Sequence, residues 1–378
     1  MSSCIVCKAP DFTLFEGYGN LPRVGSDSSP LPPGGRLGQC SECGTVQKPF
    51  DDDFLAECDS IYSSYVMYAQ SSDGADPKVF VDEPCGRSTR LVLSVAGEIG
   101  LGETGRFLDV GCGNGNLLRA FKAVRPDWTL AGLELDDRHR EAVEATCGLG
   151  SLMTGDLATI RGEFNLIAAM HVLEHITSPT DFLLQVKERL TPDGHLVIQL
   201  PLWQKNPFDL IVADHVVHFD RPAITRLLSQ AGLTPVFMSD EAVPRELTVI
   251  ARVDGDGVEK DMETAKANLA LAIDWLTDFK DEAARVMERV GREKFGIFGT
   301  GNAAMWLTQG LDGVGFYVDD DASRRGTNIM TGKPVYGPDT VPKDATVAIC
   351  LPPELSAQVH ERVKGLPVNW LVTPSLEI

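Results

Sequence analysis

The chain has 378 residues, 43% of them hydrophobic, which suits a folded protein of two or three domains and excludes a disordered one. Asp and Glu number 54 against 34 Lys and Arg, and no basic patch interrupts the net charge of −20, so a nucleic-acid partner is not expected. MSSCIVCKAP lacks the basic-then-apolar order of a signal peptide and no apolar run reaches the ~20 residues that span a bilayer, so a cytoplasmic protein without a membrane partner is expected.

Residues 1–70 are rich in Gly, Pro, Ser and Cys, as in GSDSSPLPPGGRLGQCSECG, and show little periodic apolar pattern. Such a segment buries little apolar surface and needs a staple. Cys4 and Cys7 form one C-x-x-C pair and Cys40 and Cys43 a second. Nine cysteines in a reducing compartment point to thiols and a metal, not to disulfides. Two thiolate pairs at this spacing suit a closed tetrahedral zinc site, structural because it leaves no open position; iron of the same geometry is the alternative. Cys58, Cys85, Cys112, Cys147 and Cys350 have no paired spacing and read as packed thiols.

Residues 71–255 alternate short apolar strands with amphipathic helices. RFLDVGC, TLAGLEL, FNLIAAM, GHLVIQL and ELTVIARV read as strands; GNLLRAFKAV, DRHREAVEAT, PTDFLLQVKERL and RPAITRLLSQAG read as helices. This order argues for a parallel sheet covered by helices on both faces. Residues 256–292 form a connector, with Met262, Ala265, Leu269, Ile273, Leu276, Phe279, Ala283, Val286 and Val290 at helical spacing from 260 to 290. Residues 293–378 begin a second, smaller α/β series with KFGIFGTGNAAMWLTQGL, VGFYVDD, TVAICLP and VNWLVTP.

In FLDVGCGNGNLL, Asp109 ends an apolar strand and Gly111, Gly113 and Gly115 lead into a helix. Glycines let a ligand approach the backbone, and a helix N-terminus offers amide donors. Dinucleotide enzymes use a similar loop. Two further acids end the following strands: Glu134, able to accept from two ribose hydroxyls, and Asp156, where an adenine amino group could meet it.

These residues resemble the class I S-adenosylmethionine-dependent methyltransferases. FNLIAAMHVLEHITSPTDFLLQVKERLTPDGHLVIQLP is similar to that family's fourth-strand region, with its His-x-Leu-Glu-His segment at His171 to His175. The resemblance implies that the Gly111–Gly115 loop with Asp109 holds the methionine end of S-adenosyl-L-methionine, Glu134 the ribose and Asp156 the adenine, with Met170 and His171 beside the cofactor. Over nearly the whole chain the order of parts resembles the three-domain sugar methyltransferases that act on nucleotide-linked deoxysugars. CIVC…CSECGTVQ followed by YSSYVMY is the first part, and FGIFGTGNAAMWL…YVDDDASRRGTNIMTGKPVYGPD the last. The resemblance implies an α/β fold: a Rossmann-like class I methyltransferase domain, a small N-terminal zinc-binding domain and a smaller C-terminal Rossmann-like domain. It implies a sugar-nucleotide substrate whose nucleotide the last domain helps to hold. The loop of Gly296, Gly299 and Gly301, with Ala304 after it and Asp319 at the end of FYVDD, also mimics a dinucleotide fingerprint, so an oxidoreductase using NAD stays open. So do a methyltransferase for another small metabolite, a purely structural C-terminal domain and a non-catalytic assembly protein.

DHVVHFD, Asp214 to Asp220, carries two of the chain's seven histidines. In the sugar C-methyltransferases the matching segment reads Tyr-His-Glu-His, the last histidine being a proposed base; here it is Val212, Ala213, Asp214 and His215. The histidine is kept, the acid is shortened and the tyrosine is replaced. His215 is therefore the expected general base, with Asp214 and His171 as further catalytic candidates and His218 as a structural contact. A metal at His215 and His218 lacks a third ligand at any matching spacing.

Overall fold

The computed structural model describes residues 3–63, 76, 78–79, 85–255, 257 and 268–377. YSSYVMY lies outside the described residues apart from Tyr62 and Ser63, as do Met262 and Ala265 of the expected long helix.

A seven-stranded sheet runs in the order Leu152–Thr154, Thr129–Glu134, Arg106–Val110, Phe164–Met170, Leu190–Pro201, Glu246–Arg252, Thr234–Ser239. The first five strands are parallel. Glu246–Arg252 is antiparallel to both of its neighbours, which corrects the parallel sheet expected from the pattern. The cause is the short connection 240–245, because parallel neighbours need a crossover of a dozen or more residues. Strand Thr234–Ser239, half-buried over most of its length, gave no strand signal in the sequence.

Alternate residues of these strands feed opposite faces, as a period of two demands. Leu108, Ile167 and Ile198 pack with Leu183, Val186, Ile224 and Leu227 on one face. Phe107, Leu166 and Val197 pack with Leu91, Val95, Leu118 and Phe121 on the other. Both faces are covered, which is why the strands read as continuous apolar runs. From Arg106–Val110 the chain builds outward on one side, then returns to place Phe164–Met170 on the other. The C-terminal ends of these two strands are a topological switch point, the usual ligand crevice of an open α/β sheet.

A six-stranded sheet in the C-terminal part repeats the device. Its order is Gly326–Thr327, Pro334–Tyr336, Phe316–Val318, Phe295–Phe298, Thr346–Ile349, Asn369–Val372, so the chain reverses around Phe295–Phe298. Helix Leu269–Val290 buries Leu269, Ile273, Leu276, Phe279, Ala283 and Val286 at spacings of three and four. Tyr18 and Leu37, Trp203 and Phe208, and Ile297 and Trp306 join the same core, so the helix ties all three parts of the chain together.

The N-terminal strands Phe12–Leu14, Gly38–Cys40 and Val46–Gln47 form an antiparallel sheet whose fourth strand is Val217–His218. The cysteine-bearing unit thus completes its sheet with the segment that carries the candidate base. Among the described residues no helix is long and apolar enough to cross a membrane.

Candidate active site

Strand Arg106–Val110 delivers Asp109 to the switch point with 2% of its surface exposed. Burial, and then the Glu134 carboxylate, raise its pKa well above the usual carboxylate range. The chain then turns through Gly111, Gly113 and Gly115 at φ values of +68°, +51° and +81°, a region open to glycine at little cost. A Cβ on Gly111 would lie 2.5 Å from Val172 Cγ2. Helix Asn116–Val124 starts at once, its free amides at the loop. Gly113 N donates to Glu134 Oε1 at 2.7 Å, and Leu135 N to Oε2 at 3.0 Å, so Glu134 is wired to the loop. Asp156 is exposed and caps the turn Leu157–Thr159 through Ala158 N at 2.7 Å. Asp109, Glu134 and Asp156 sit at or just beyond the C-terminal ends of neighbouring parallel strands.

One cavity of about 760 Å³ has Asp109, Gly111, Met170, His171, His175 and His215 in its wall, together with Thr300 and Asp319 of the C-terminal part. Gly113, Gly115, Glu134 and Asp156 are not among its lining residues, although Glu134 is tied to the loop through Gly113 N. In the C-terminal part Thr300 Oγ1 donates to Asp319 Oδ2 at 2.7 Å, repeating the tie between glycine loop and strand-end acid. Arg245, also in the wall, is held at φ +70°, and among the described residues its guanidinium makes no hydrogen bond or ion pair.

His171 has another task than the proton transfer expected of it. Its Nδ1 lies 3.1 Å from Glu174 Oε1 and its Nε2 3.1 Å from Glu246 Oε2. Donating to a carboxylate at both nitrogens requires the imidazolium. Burial pulls the pKa down, but the Glu246 charge and both hydrogen bonds outweigh it and raise it to about 9. A ring already protonated at neutral pH cannot serve as a base. It is an ionic tie between the turn Leu173–His175 and strand Glu246–Arg252. Because the folded pKa lies above 6.5, this tie stabilises fully below about pH 6.5 and is lost as pH rises through about 9. The displacement corresponds to on the order of 3 kcal/mol. Melting temperature should therefore fall between pH 6.5 and 9 in the wild type and less steeply in His171→Gln. Parallel curves for the two proteins would rule out the imidazolium.

His215 is 6% exposed and stands in the cavity wall. Its Nδ1 lies 2.7 Å from Asp209 Oδ1, and His218 Nδ1 lies 2.6 Å from Asp209 Oδ2. Burial disfavours the Asp209 carboxylate, but the His218 and His215 rings hold its pKa far below the usual range. For His215 burial works downward and the Asp209 charge upward, with a net rise. His218 falls to about 4 through burial and the nearby Lys48. Asp214, expected to assist His215, lies in a turn and, among the described residues, makes no hydrogen bond to that ring, although its charge helps to raise the His215 pKa and its Oδ2 lies 3.4 Å from His175 Nδ1. Its oxygens accept from Ser26 N at 2.8 Å and Ser26 Oγ at 2.6 Å. Asp209, which the spacing argument missed, takes that place. His175 stands edge-on to His215 with ring centroids 4.7 Å apart, its Nδ1 3.0 Å from Tyr62 Oη.

Asp209, His215 and His218 bring three ligating atoms within 4.8 Å of one another. The wiring is nevertheless that of a hydrogen-bond chain: both carboxylate oxygens are engaged by the imidazoles, and the Lys48 ammonium lies 3.1 Å from His218 Nε2, where a cation would be repelled. Glu174, His175 and His215 also converge, and Glu174 Oε2 has no hydrogen-bond partner, an open acceptor beside His215.

Cys4, Cys7, Cys40 and Cys43 converge in the N-terminal unit with all four sulfurs within 4.8 Å. Cys4 Sγ lies 3.6 Å from Cys43 Sγ, and Cys7 Sγ 3.5 Å from Cys40 Sγ. Those separations exceed the roughly 2.05 Å of a disulfide. They suit four thiolates about 2.3 Å from one tetrahedral ion, which places sulfurs about 3.8 Å apart.

Residues 86–236 match the family model described as a methyltransferase domain. This part of the chain is thus similar to methyltransferase domains. Over 102 residues the chain is 28% identical to the mitochondrial ubiquinone biosynthesis O-methyltransferase of Schizosaccharomyces pombe, covering 25% of this chain and 36% of that protein. Over 154 residues it is 28% identical to the ubiquinone biosynthesis O-methyltransferase of Roseobacter denitrificans, covering 35% of this chain and 60% of the other. The chain thus spans between about a third and 60% of the length of these relatives. Among solved structures, mitomycin 7-O-methyltransferase is 20% identical, with a TM-score of 0.39 over 44% of this chain and 53% of that one. An S-adenosylmethionine-dependent methyltransferase from Clostridium acetobutylicum is 14% identical, with a TM-score of 0.37 over 54% of this chain and 99% of that one. The matched segment contains Asp109, the glycine loop, Glu134, Asp156, Met170 and the His215 segment; the cysteine cluster and the second glycine loop lie outside it.

Proposed function

We propose that this chain transfers the methyl group of S-adenosylmethionine to a hydroxyl, or to an acidified ring carbon, of a nucleotide-linked or related sugar. His215 removes the acceptor proton. The observation that carries the reading is one cavity whose wall holds His215, its Nδ1 engaged by Asp209, together with the Asp109 glycine loop and a second glycine loop.

The cofactor's residues fit their ligand. Asp109 is buried in the cavity wall with its pKa raised, and a bound ammonium or sulfonium favours its charged form. Both Glu134 oxygens accept one backbone amide and keep a lone pair for a ribose hydroxyl. Asp156, just beyond the end of strand Leu152–Thr154, is assigned to the adenine in this reading. When bound, the cofactor supplies a methyl already activated by positively charged sulfur. The chain's own work is to align the acceptor, exclude water and take one proton. Oxygen as the accepting atom is supported by the two relatives, whose names say O-methyltransferase. A nucleotide on the acceptor is supported by the second switch point in the wall of the same cavity and by Arg245, whose guanidinium is available to an anion. Zinc held by Cys4, Cys7, Cys40 and Cys43 is structural in this reading, since four thiolates close its coordination.

Calorimetry and product analysis test the proposal. The wild type should bind S-adenosylmethionine, and Glu134→Ala should weaken binding by about tenfold or more, the loss expected for removing hydrogen bonds to a charged group. A panel of sugar nucleotides incubated with the cofactor should yield a methylated product by mass spectrometry. Micromolar NADH binding with none of S-adenosylmethionine would replace methyl transfer by an oxidoreductase reading. Cofactor binding with no methylated sugar would remove the sugar alone.

A further inference from the structure

We propose that Glu174, His175 and His215 form a second cation site, which takes a divalent transition ion of the zinc class and, while the ion is bound, blocks methyl transfer by occupying the lone pair of the base. Binding stands on the donor set alone. The block rests on the reading of His215 as the base.

Each of the three residues offers one ligand atom, and these atoms lie within 4.8 Å of one another. The hydrogen bonds show which atoms are free. His215 Nδ1 lies 2.7 Å from the ionised Asp209 carboxylate, and His175 Nδ1 lies 3.1 Å from the Asp214 carbonyl, which can only accept. Both rings therefore carry a proton on Nδ1, and in each neutral ring Nε2 keeps its lone pair. Among the described residues neither Nε2 makes a hydrogen bond. Glu174 Oε1 is taken by His171 Nδ1 at 3.1 Å, while Oε2 is buried without a partner. The cluster thus holds two nitrogen lone pairs and one carboxylate oxygen, and no donor. Buried acceptors left in this state cost free energy until a cation or a proton joins them.

The surroundings are those of a metal-binding histidine pair. Such a histidine donates its other ring N–H to a carboxylate or a carbonyl, which fixes the ring. Asp209 does this for His215 and the Asp214 carbonyl for His175, while His171 holds Glu174 in place. Asp214 Oδ2, 3.4 Å from His175 Nδ1, adds negative charge behind that ring. The two rings stand at 88° with centroids 4.7 Å apart. Two imidazoles bound at right angles to one ion, each at about 2.1 Å, place their centroids about 4.6 Å apart. Ligands at that length stand about 3.0–4.2 Å from one another, so closing on an ion asks under about 2 Å of movement in any pair. Two imidazoles and a carboxylate favour zinc, cobalt or nickel over magnesium or calcium. His175 and His215 stand in the cavity wall, and three protein ligands leave a position open. The ion should therefore exchange, whereas the one enclosed by four cysteines should stay.

Cobalt(II) is the probe, added to full-length protein that already holds zinc at its cysteines. The protein should take up one further equivalent, with the d–d absorption of bound cobalt and no thiolate-to-cobalt charge-transfer band, and excess magnesium should not displace it. Glu174→Gln keeps an oxygen for His171 but loses the charged ligand. It should weaken uptake by at least the roughly tenfold that losing even a supporting group costs. Should Glu174→Gln fail to fold by circular dichroism, His175→Gln is read the same way. No uptake beyond the cysteine site, a charge-transfer band marking exchange at the cysteines alone, or wild-type uptake by the folded variant overturns the site. The block is judged apart. On an acceptor from the sugar-nucleotide panel, turnover should fall in step with the cobalt bound and return on dialysis. Cobalt bound at the site with turnover unchanged would overturn the block and the base reading together, and the cation site would stand.

Discussion

Cys40→Ser should remove the bound metal and methyl transfer together, although none of the four clustered cysteines lines the cavity. Cys40 ends the strand Gly38–Cys40, is 1% exposed and pairs its sulfur with that of Cys7. Gly44, at φ +77°, turns the chain back with its amide on Cys40 O at 3.0 Å, which leads into strand Val46–Gln47 and Lys48. That strand carries Val217–His218 as its neighbour. Serine is a poor zinc ligand, and a structural zinc site contributes on the order of 10 kcal/mol of folding free energy. Losing it loosens the sheet, the lysine and then the His215 ring. We expect about one zinc per chain in the wild type, almost none in Cys40→Ser, and turnover reduced on the order of 100-fold or beyond detection. Cys147→Ser, a half-buried cysteine outside the cluster, should alter neither. Wild type isolated without added metal but holding less than about half an equivalent of zinc or iron would sink the metal assignment. A Cys40→Ser protein with wild-type turnover would sink its link to the reaction.

The parts legible in the sequence were those written in local pattern. Asp109 and its three glycines stand in one run, and the strand and helix periods around them are regular. The cysteine pairs announced a four-sulfur cluster because each pair is a tight local turn. What stayed hidden was brought together by topology. Lys48 meets the His215 carbonyl across 167 residues, and its only mark in the sequence is a lone cation in the apolar setting VQKPF. Asp209 lies six and nine residues before its two histidines, and only the placement of the turn Pro207–Asp209 aims it at both. Asp214 attracted the catalytic assignment by adjacency, yet it lies in a turn whose geometry gives its carboxylate to Ser26. His171 attracted it by residue type; the two carboxylates that accept from it and hold it protonated come from a turn three residues on and from a strand 75 residues away.

His215→Gln should cut turnover by roughly 100-fold or more while leaving S-adenosylmethionine affinity nearly intact, because general-base catalysis is worth about 10²–10⁴-fold. Glutamine approximates the size and polarity of the ring but takes no proton near neutral pH. Its amide can still donate to Asp209 Oδ1, so the network that positions the loop has a substitute partner. Asp109, the glycine loop and Glu134, the residues assigned to the cofactor, make no hydrogen bond to His215. The loss should therefore fall on kcat. His218→Ala should lose less, since Asp209 still accepts from His215 Nδ1 and the base remains. The pH profile supplies a second sign. The Asp209 charge outweighs burial and holds His215 above the ordinary imidazole value of about 6.5, so turnover should rise with pH through a pKa above that figure as the ring gives up its proton. That limb should vanish in His215→Gln. Retention of most turnover by the glutamine variant would show that shape and polarity suffice, and the acceptor proton would then have to leave by another route.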